Sequence, residues 1–211
     1  MILATILALR AVADVAPSAD PAGEFWRKAP AVFAENDPLG SPVAGHRTEI
    51  RARWTQENLY LLFVCPYESL YSKPDPVTKT ETNQLWNWDV AEAFIGSDFE
   101  NIFRYKEFEI SPQGEWVDLD IDRKHPAPDG GVSWDSGFQV RTRVDAERKI
   151  WYGEMRIPFS SIGAGAAAGR KFRVNFYRMQ GPPPDRKMIA WQATHARNYH
   201  VPEAFGVLEL K

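Results

Sequence analysis

Short runs rich in Val, Ile, Phe, Tyr and Trp recur along the whole chain, separated by clusters of Gly, Pro, Asn and Asp. Almost no segment keeps apolar residues at helical spacing for more than about two turns. The pattern predicts an all-β fold, an antiparallel β-sandwich of jelly-roll type with about ten to eleven strands and long connecting loops. The predicted strands cover residues 5–15, 47–55, 58–66, 88–96, 104–111, 115–122, 138–145, 150–157, 171–179, 187–192 and 205–210.

Composition limits the size and the partners of this fold. The 211 residues are 44% hydrophobic and 25% charged, which suits a single domain over residues 1–211. A net charge of -3 offers no basic surface for a phosphate backbone, so we expect no nucleic-acid partner. Cys65 is the only cysteine, which excludes an internal disulfide and a cysteine-built zinc site. No apolar run approaches the roughly 18 to 20 residues of a membrane span, and a monomer is expected.

The first twenty residues, "MILATILALRAVADVAPSAD", have two interpretations. The apolar run ending in Ala11-Val12-Ala13 fits a short signal peptide, but it lacks a cationic start and Arg10 interrupts it. The alternative is a first β-strand from about Thr5 to Val15.

Alternation in the middle of the chain predicts strand faces. In "YKEFEIS", Phe108 and Ile110 share one face, while Tyr105, Glu107 and Glu109 share the other. In "EWVDLDID", Val117, Leu119 and Ile121 are predicted to face the core, and Trp116, Asp118, Asp120 and Asp122 the opposite side.

The stretch "NQLWNWDVAEAFIGSD" places two tryptophans among polar residues. Sugar recognition needs flat aromatic surfaces for C–H faces and planar polar groups for pairs of hydroxyls. Trp86 or Trp88 supplies the first, and Glu92, Asn175 and Arg178 supply the second. The alternative is that Trp88 covers the edge of the core and Trp86 is an exposed loop residue.

Other candidates carry similar alternatives. Trp191 lies among polar residues and is either a second aromatic platform or a strand residue packing inward, with Tyr199 and His200 competing for the platform role. Glu92 alternates with apolar residues, so it either accepts ligand hydrogen bonds or forms a buried ion pair with Arg178 or Arg104.

The sequence gives little support for catalysis or metal binding. Asp118, Asp120 and Asp122 suggest calcium but lack the spacing of an EF-hand loop, and a solvated strand face is the simpler interpretation. The four histidines show no zinc-site spacing, and no nucleophile or phosphate-binding motif is present. Glu92, Glu107 and Glu109 give a weak signal for a glycosidase carboxylate pair.

Six segments in order resemble the family 9 carbohydrate-binding modules and their stand-alone bacterial relatives, within the wider DOMON-like group of β-sandwiches. They are "TEIRARWTQENLYLLFVC", "NWDVAEAFIGSD", "YKEFEISPQGEWVDLDID", "WYGEMRIPFSSI", "FRVNFYR" and "YHVPEAFGVLEL". The resemblance implies a sugar held between two aromatic platforms. It also leads us to expect an extracytoplasmic protein, periplasmic or secreted.

The same resemblance assigns roles to particular residues. The family's W-x-x-D-x-x-E motif corresponds to Trp86, Asp89 and Glu92, with Glu92 hydrogen-bonding sugar hydroxyls. The second platform maps to Trp191, with Tyr199 as the alternative. Asn175 and Arg178 map to polar partners late in the chain, and Glu109 stands where sugar-binding members carry a basic residue.

The predicted function is non-catalytic binding of a short glycan or a chain end. The predicted ligand-binding residues are Trp86, Trp88, Glu92, Glu109, Asn175, Arg178, Trp191, Tyr199 and His200. One rival is a DOMON-like haem-binding electron-transfer domain, for which Met155, Met179, Met188, His195 and His200 offer axial ligands. The other is a glycoside hydrolase. No cofactor is expected, and a structural calcium ion is the one alternative left open.

Overall fold

The computed structural model describes residues 4–211, and within them the fold is almost entirely β, which confirms the predicted fold class. The strands are β1 (Thr5–Arg10), β2 (Ala31–Ala34), β3 (Thr48–Trp54), β4 (Asn58–Pro66), β5 (Val90–Gly96), β6 (Arg104–Ile110), β7 (Trp116–Asp122), β8 (Gln139–Asp145), β9 (Ile150–Pro158), β10 (Lys171–Gln180), β11 (Lys187–Ala190) and β12 (Gly206–Leu210). Three short 3-10 helices cover Leu85–Asn87, Phe159–Ile162 and Pro202–Ala204.

The strands form one continuous hydrogen-bonded network in the order β7-β6-β5-β10-β12-β1-β3-β4-β9-β8, with β11 beside β10 and β2 beside β3. All pairings are antiparallel except those of β1, which runs parallel to both β12 and β3. The network folds over itself, because side chains of strands far apart in this order contact one another. Phe63 of β4, for example, packs edge-on against Phe176 of β10 with 6.0 Å between ring centroids.

The apolar core fills the space between the two halves of the folded sheet. Alternate residues of β5, β6 and β10 meet alternate residues of β3, β4 and β9 there. Gly153 leaves room for the ring of Trp151 on the same strand, since a Cβ at that position would lie 2.9 Å from that ring, and it would also lie 3.5 Å from Ile110 of β6 across the core. We call the surface of β5, β6, β7 and β10 that points away from this core the outer face.

The N-terminal segment is a strand of the sandwich over Thr5–Arg10, which confirms the strand interpretation for those residues. Ile6 and Ala8 are fully buried in the core. The strand ends before the predicted limit, and Val12 is fully exposed. Residues 1–3, which the signal-peptide interpretation includes, lie outside the described residues.

Strand β7 presents the opposite faces from those predicted. Val117 and Leu119 lie on the outer face, where they pack with Leu85 and Val90. Trp116 packs against the core instead. The alternation is correct but the face is reversed. Strand β7 is an edge strand with other residues packed on both of its faces, and alternation alone does not say which face points to the core.

No helix in the described residues is both long enough and apolar enough to cross a membrane.

Candidate ligand-binding site

A cleft of about 570 Å³ lies on the outer face. Its floor is formed by side chains that alternate along the strands, including Glu92 and Phe94 of β5 and Glu107 of β6. Three loop segments form the walls, covering residues 83–86, 123–132 and 197–200. The site is therefore assembled from long polar loops over a rigid sheet, a common arrangement for binding sites.

Trp86 forms part of one wall. It belongs to the single turn Leu85–Asn87, which follows Gln84 in the left-handed conformation with φ of 61°. Its half-buried ring packs against the apolar group of Leu85, Val90 and Leu119 and also lines the cleft. A ring held on one side and open on the other can serve as a stacking surface.

Arg186 holds this wall in place. Its guanidinium donates hydrogen bonds to the backbone carbonyls of Trp86, Asn87 and Trp88. This role is not visible in the sequence, because an arginine two residues after three consecutive prolines gives no signal of where its side chain reaches. Arg186 is a positioning residue for Trp86.

Trp88 and Asp89 have structural contacts instead of places in the cleft lining. The Trp88 ring packs against Tyr71 with 4.7 Å between centroids. The buried Asp89 accepts hydrogen bonds from the backbone N–H groups of Tyr71 and Gly181 and from the amide of Gln180. The middle residue of the W-x-x-D-x-x-E motif therefore ties together the loops behind the cleft.

Tyr199 and His200 form the opposite wall. Tyr199 stacks on Tyr177 with centroids 4.0 Å apart, and its hydroxyl donates to the carbonyl of Arg178 at 2.9 Å. His200 Nδ1 lies 2.7 Å from the hydroxyl of Tyr105, and its ring lies 5.1 Å from that of Phe94. The cleft thus has aromatic side chains on two sides.

Three carboxylates converge at the floor. Glu92 lies opposite Glu109 in the register of β5 and β6, and Glu107 is the next residue of β6 on the same face. One oxygen from each lies within 4.8 Å of the other two. All three side chains are buried, with residue exposures of 2%, 4% and 0% for Glu92, Glu107 and Glu109. We call these three residues the glutamate cluster.

The glutamate cluster lacks a cationic partner. Among residues 4–211, no Lys or Arg nitrogen lies within 4.0 Å of its oxygens, and only His200 Nε2 reaches that distance, at Glu107. Glu92 Oε1, Glu107 Oε2 and both oxygens of Glu109 are buried without a hydrogen-bond partner in the described chain. Buried charges normally require partners, so this arrangement needs an explanation.

Burial and mutual repulsion both favour the protonated forms. Burial raises the pKa of Glu107 to about 7. Burial, and then the charge of Glu107, raises the pKa of Glu92 well above its usual range. Burial followed by the charges of Glu92 and Glu107 does the same to Glu109. The nearby charge of Arg186 opposes these shifts at Glu92 and Glu109 without forming a bond.

Asn175 and Arg178 do not reach the cleft, contrary to the sequence prediction. Asn175 is fully buried, and its amide bonds the hydroxyl of Tyr177 and the backbone of Phe176 and Gln192. Arg178 points to the core side of β10, where it donates to Thr48 and Gln180.

The alternative interpretation of Glu92, a buried ion pair with Arg178 or Arg104, is wrong. Arg178 lies on the opposite face of the sheet, and Arg104 pairs with Asp122 at 3.6 Å.

Trp191 is a core residue, which corrects its prediction as a second platform. It is 8% exposed, and its ring packs on Phe176 with centroids 5.5 Å apart. It also closes over Gly206, where a Cβ would lie 2.6 Å from the indole ring. The inward-packing alternative is therefore the one observed, and Tyr199 occupies the wall instead.

The three aspartates of β7 do not converge on one point. Asp118 is buried and accepts hydrogen bonds from Ser136, Asp120 pairs with Lys106 at 2.6 Å, and Asp122 accepts from two backbone N–H groups in the next turn. Asp118 lies instead near Glu81 and Asp135, with one oxygen from each within 4.8 Å of the others.

Comparison with known proteins identifies relatives of the whole fold. The family described as "Carbohydrate family 9 binding domain-like" matches residues 21–211. A family 9 carbohydrate-binding module from Caldicellulosiruptor kristjanssonii, solved with cellotriose, superposes with a TM-score of 0.72 at 15% identity over 99% of this chain and 94% of that one. A putative carbohydrate-binding protein from Bacteroides uniformis superposes with a TM-score of 0.77 at 16% identity over 98% and 99% of the two chains.

A relative described as "Extracellular protein" from Arthroderma benhamiae is 25% identical in an alignment of 171 residues that covers 75% of this chain and 76% of that protein. The resemblance to stand-alone bacterial relatives also leads us to expect a bacterial source, and this stays a prediction. Since the family match spans residues 21–211, this chain belongs to the carbohydrate family 9 binding domain-like family.

Proposed function

We propose that this protein binds a short glycan, or the end of a glycan chain, in the cleft without altering it chemically. The observation that carries the proposal is the combination of the Trp86 ring with unpartnered carboxylate oxygens in one cleft. A sugar presents apolar C–H faces and a rim of hydroxyl donors, and these two kinds of group match them. Membership of a carbohydrate-binding family supports the same conclusion.

In this arrangement the sugar ring stacks on Trp86 and faces Tyr199 and His200 across the cleft. Glu92 and Glu107, which both line the cleft, accept hydrogen bonds from sugar hydroxyls. Glu109 is a buried acid next to them, at the position where the family resemblance leads us to expect a basic residue. The ligand preference of this chain should therefore differ from that of members with a cation at that position.

A hydrolytic function fits the geometry less well. Glycosidases place their two carboxyl groups on either side of the scissile bond, about 5 Å or more apart. The glutamate cluster instead projects from two adjacent strands on one side of the cleft, with its oxygens within 4.8 Å of one another. Such a floor can hold one end of a ligand but does not flank a bond.

A haem-binding function is also disfavoured by the floor. Met179, Met188 and His200 do line the cleft, but Met155 is buried in the core. Haem carries two negatively charged propionates, and the acidic side chains of the floor offer them no cationic partner, so such partners could come only from the walls.

A matched pair of tryptophan variants tests the proposal. A glycan array with the purified protein selects the best ligand, and calorimetric titration then compares Trp86→Ala with Trp88→Ala. We expect Trp86→Ala to lose about 0.5 to 1.5 kcal/mol or more of binding free energy, because a stacking surface disappears. Trp88→Ala should keep the wild-type affinity, since the Trp88 ring packs on Tyr71 outside the cleft lining.

Two results would contradict the proposal. One is the absence of any glycan that binds at millimolar concentration. The other is an equal loss of affinity in both variants, which would show that the ligand does not contact Trp86 in particular.

We also infer a location outside the cytoplasm, periplasmic or secreted, as expected for a protein that meets polysaccharide fragments. The name of the Arthroderma benhamiae relative accords with this inference. Structural calcium and a monomeric state remain predictions.

A further inference from the structure

The glutamate cluster combines three features that a simple sugar site does not need. Its three acidic side chains are almost completely buried, one oxygen of each lies within 4.8 Å of the other two, and no lysine or arginine of the described chain forms an ion pair with them. Three unpaired negative charges at this spacing would strongly destabilise the folded state. Something outside the described side chains therefore compensates the charge, and the candidates are protons or a cation.

The missing hydrogen bonds of Glu109 are a second observation, independent of how many acids the cluster contains. Glu109 is 0% exposed, and neither of its carboxylate oxygens has a partner among the described residues. The buried carboxylates outside the glutamate cluster each accept hydrogen bonds on at least one oxygen. Glu154, for example, accepts three hydrogen bonds from Ser18 and Ala19, and Asp89 accepts three from the loops behind the cleft. The unpartnered oxygens of Glu109 point to a ligand inside the cluster.

The charge of Arg186 acts on Glu92 and Glu109 through space, but its two terminal nitrogens donate to the backbone carbonyls of residues 86–88. Its Nε is buried without a hydrogen-bond partner, and no nitrogen of Arg186 lies within 4.0 Å of an oxygen of the cluster. Arg186 therefore holds the wall that carries Trp86 and does not form an ion pair with the cluster.

We propose that Glu92, Glu107 and Glu109 bind a divalent metal cation at the floor of the cleft. Oxygen-only ligands of this kind suit the hard cations Ca²⁺, Mg²⁺ and Mn²⁺. Three carboxylates supply only part of a coordination shell of six or more oxygens, and Glu92 and Glu107 line the cleft. The remaining positions of the cation thus face the cleft, where water or two neighbouring hydroxyls of a sugar complete the shell. This last step rests on the proposed function, whereas cation binding itself does not.

The cation is measured first without any glycan. Protein treated with EDTA and transferred to metal-free buffer at pH 7.5 is titrated separately with CaCl₂, MgCl₂ and MnCl₂ by calorimetry, and equilibrium dialysis with elemental analysis gives the number of ions bound. The two test variants are Glu109→Gln and Asp118→Asn. The second removes a buried carboxylate from the other acidic group, formed with Glu81 and Asp135, and controls for ions bound there.

We expect wild-type protein and Asp118→Asn to bind one ion that Glu109→Gln binds at least tenfold more weakly. Glu109→Gln should also melt at a higher temperature than wild type in EDTA, because it removes one of three crowded charges, yet gain less from added metal. The effect of Glu109 on metal binding can thus be measured in the variant even when metal-free wild-type protein is only marginally stable.

Equal ion stoichiometry and affinity in wild type and Glu109→Gln would overturn the proposal. So would the absence of binding by wild type up to about 5 mM of each metal, well above the range of about 0.1 to 1 mM seen for extracellular calcium modules. In either case protons shared within the cluster compensate the charge.

A second measurement separates this inference from the proposed function. The affinity for the selected glycan is compared in EDTA and in saturating metal. A gain of tenfold or more with metal, absent in Glu109→Gln, supports coordination of the sugar by the cation. If an ion binds but no glycan binds, the metal site is supported and the proposed function is contradicted. A glycan that binds equally well with and without metal overturns the role of the cation in sugar recognition.

Discussion

Glu92, like the other two residues of the glutamate cluster, differs from the remaining buried acids in accepting no hydrogen bond from the described residues. Oε1 is buried without a partner in both Glu92 and Glu154, but Oε2 of Glu154 accepts three hydrogen bonds from Ser18 and Ala19 at 2.8 to 3.3 Å. An acid that stabilises the fold is expected to accept hydrogen bonds from other residues of the chain, as Glu154 does. An acid available to a ligand is expected to lack such partners, as Glu92 does.

This difference predicts opposite effects of the same substitution at the two positions. At pH 7.5 without ligand, Glu92→Gln should leave the free energy of unfolding unchanged or raise it, because it removes a charge from the glutamate cluster. Glu154→Gln should lower it by about 1 kcal/mol or more, because charge-assisted hydrogen bonds become neutral ones. Urea unfolding of both variants measures these changes.

For glycan affinity we expect the reverse, with Glu92→Gln the more damaging of the two substitutions. Glu92→Gln should reduce affinity by roughly 1.5 to 3 kcal/mol, the range for a hydrogen bond to a charged group. Glu154→Gln should bind like wild type. A destabilised Glu92→Gln variant that binds normally would make Glu92 a structural residue.

His200 provides a prediction about pH. Burial, and then the positive charge of Arg123, lowers the pKa of this histidine from 6.5 to about 4. Between these two pH values the unfolded chain carries a proton on His200 and the folded protein does not, so this residue lowers the free energy of unfolding as the pH falls from 6.5 to 4. The ring should therefore be neutral in the cleft at pH 5 to 7.

An NMR titration of the His200 imidazole measures this directly, free of the opposing contribution that the glutamate cluster makes to stability. A midpoint near 4 agrees with the structure. A midpoint above 6.5 would mean that Glu107, 4.0 Å away, holds a proton on the ring.

At the scale of elements, alternation and turn residues predict most strands to within a few residues. Strand β2 was missed because Ala31–Ala34 is four residues long and only partly buried, so it shows no clear period. Tertiary pairing with β3 makes it a strand.

Alternation along β10 also argues against placing Asn175 and Arg178 in the same site. Asn175 and Arg178 are three residues apart on β10, and side chains at an odd separation lie on opposite faces of a strand. The assignment of both residues to one site, from their residue types and from the family resemblance, overlooked this. The glutamate cluster, in contrast, depends on the register of β5 against β6, which the sequence does not reveal.

The turn that carries Trp86 should depend on Arg186 more than on its own sequence. Arg186→Gln loses the hydrogen bonds to residues 86–88, so we expect at least a tenfold loss of glycan affinity with a small change in melting temperature. Arg141→Gln, an exposed arginine on β8 in the other half of the sandwich, should change neither quantity. Equal behaviour of the two variants in calorimetry would show that Arg186 does not position the wall.

At the scale of the whole molecule, the sandwich separates two kinds of tryptophan. Trp151 and Trp191 fill the core between the two halves of the sheet, and Trp86 lies in the cleft on the outer face. Composition and local neighbours did not distinguish them, because a polar neighbour in sequence need not be a neighbour in space. The fold decides which indole a ligand can reach.

The eight indole N–H groups report directly on this separation. In ¹⁵N-labelled protein titrated with the glycan selected on the array, with signals assigned by single substitutions, we predict that the Trp86 indole signal shifts with ligand concentration. The signals of Trp151 and Trp191 should stay in place. A titration that moves the Trp191 signal and leaves that of Trp86 unchanged would contradict binding in the cleft.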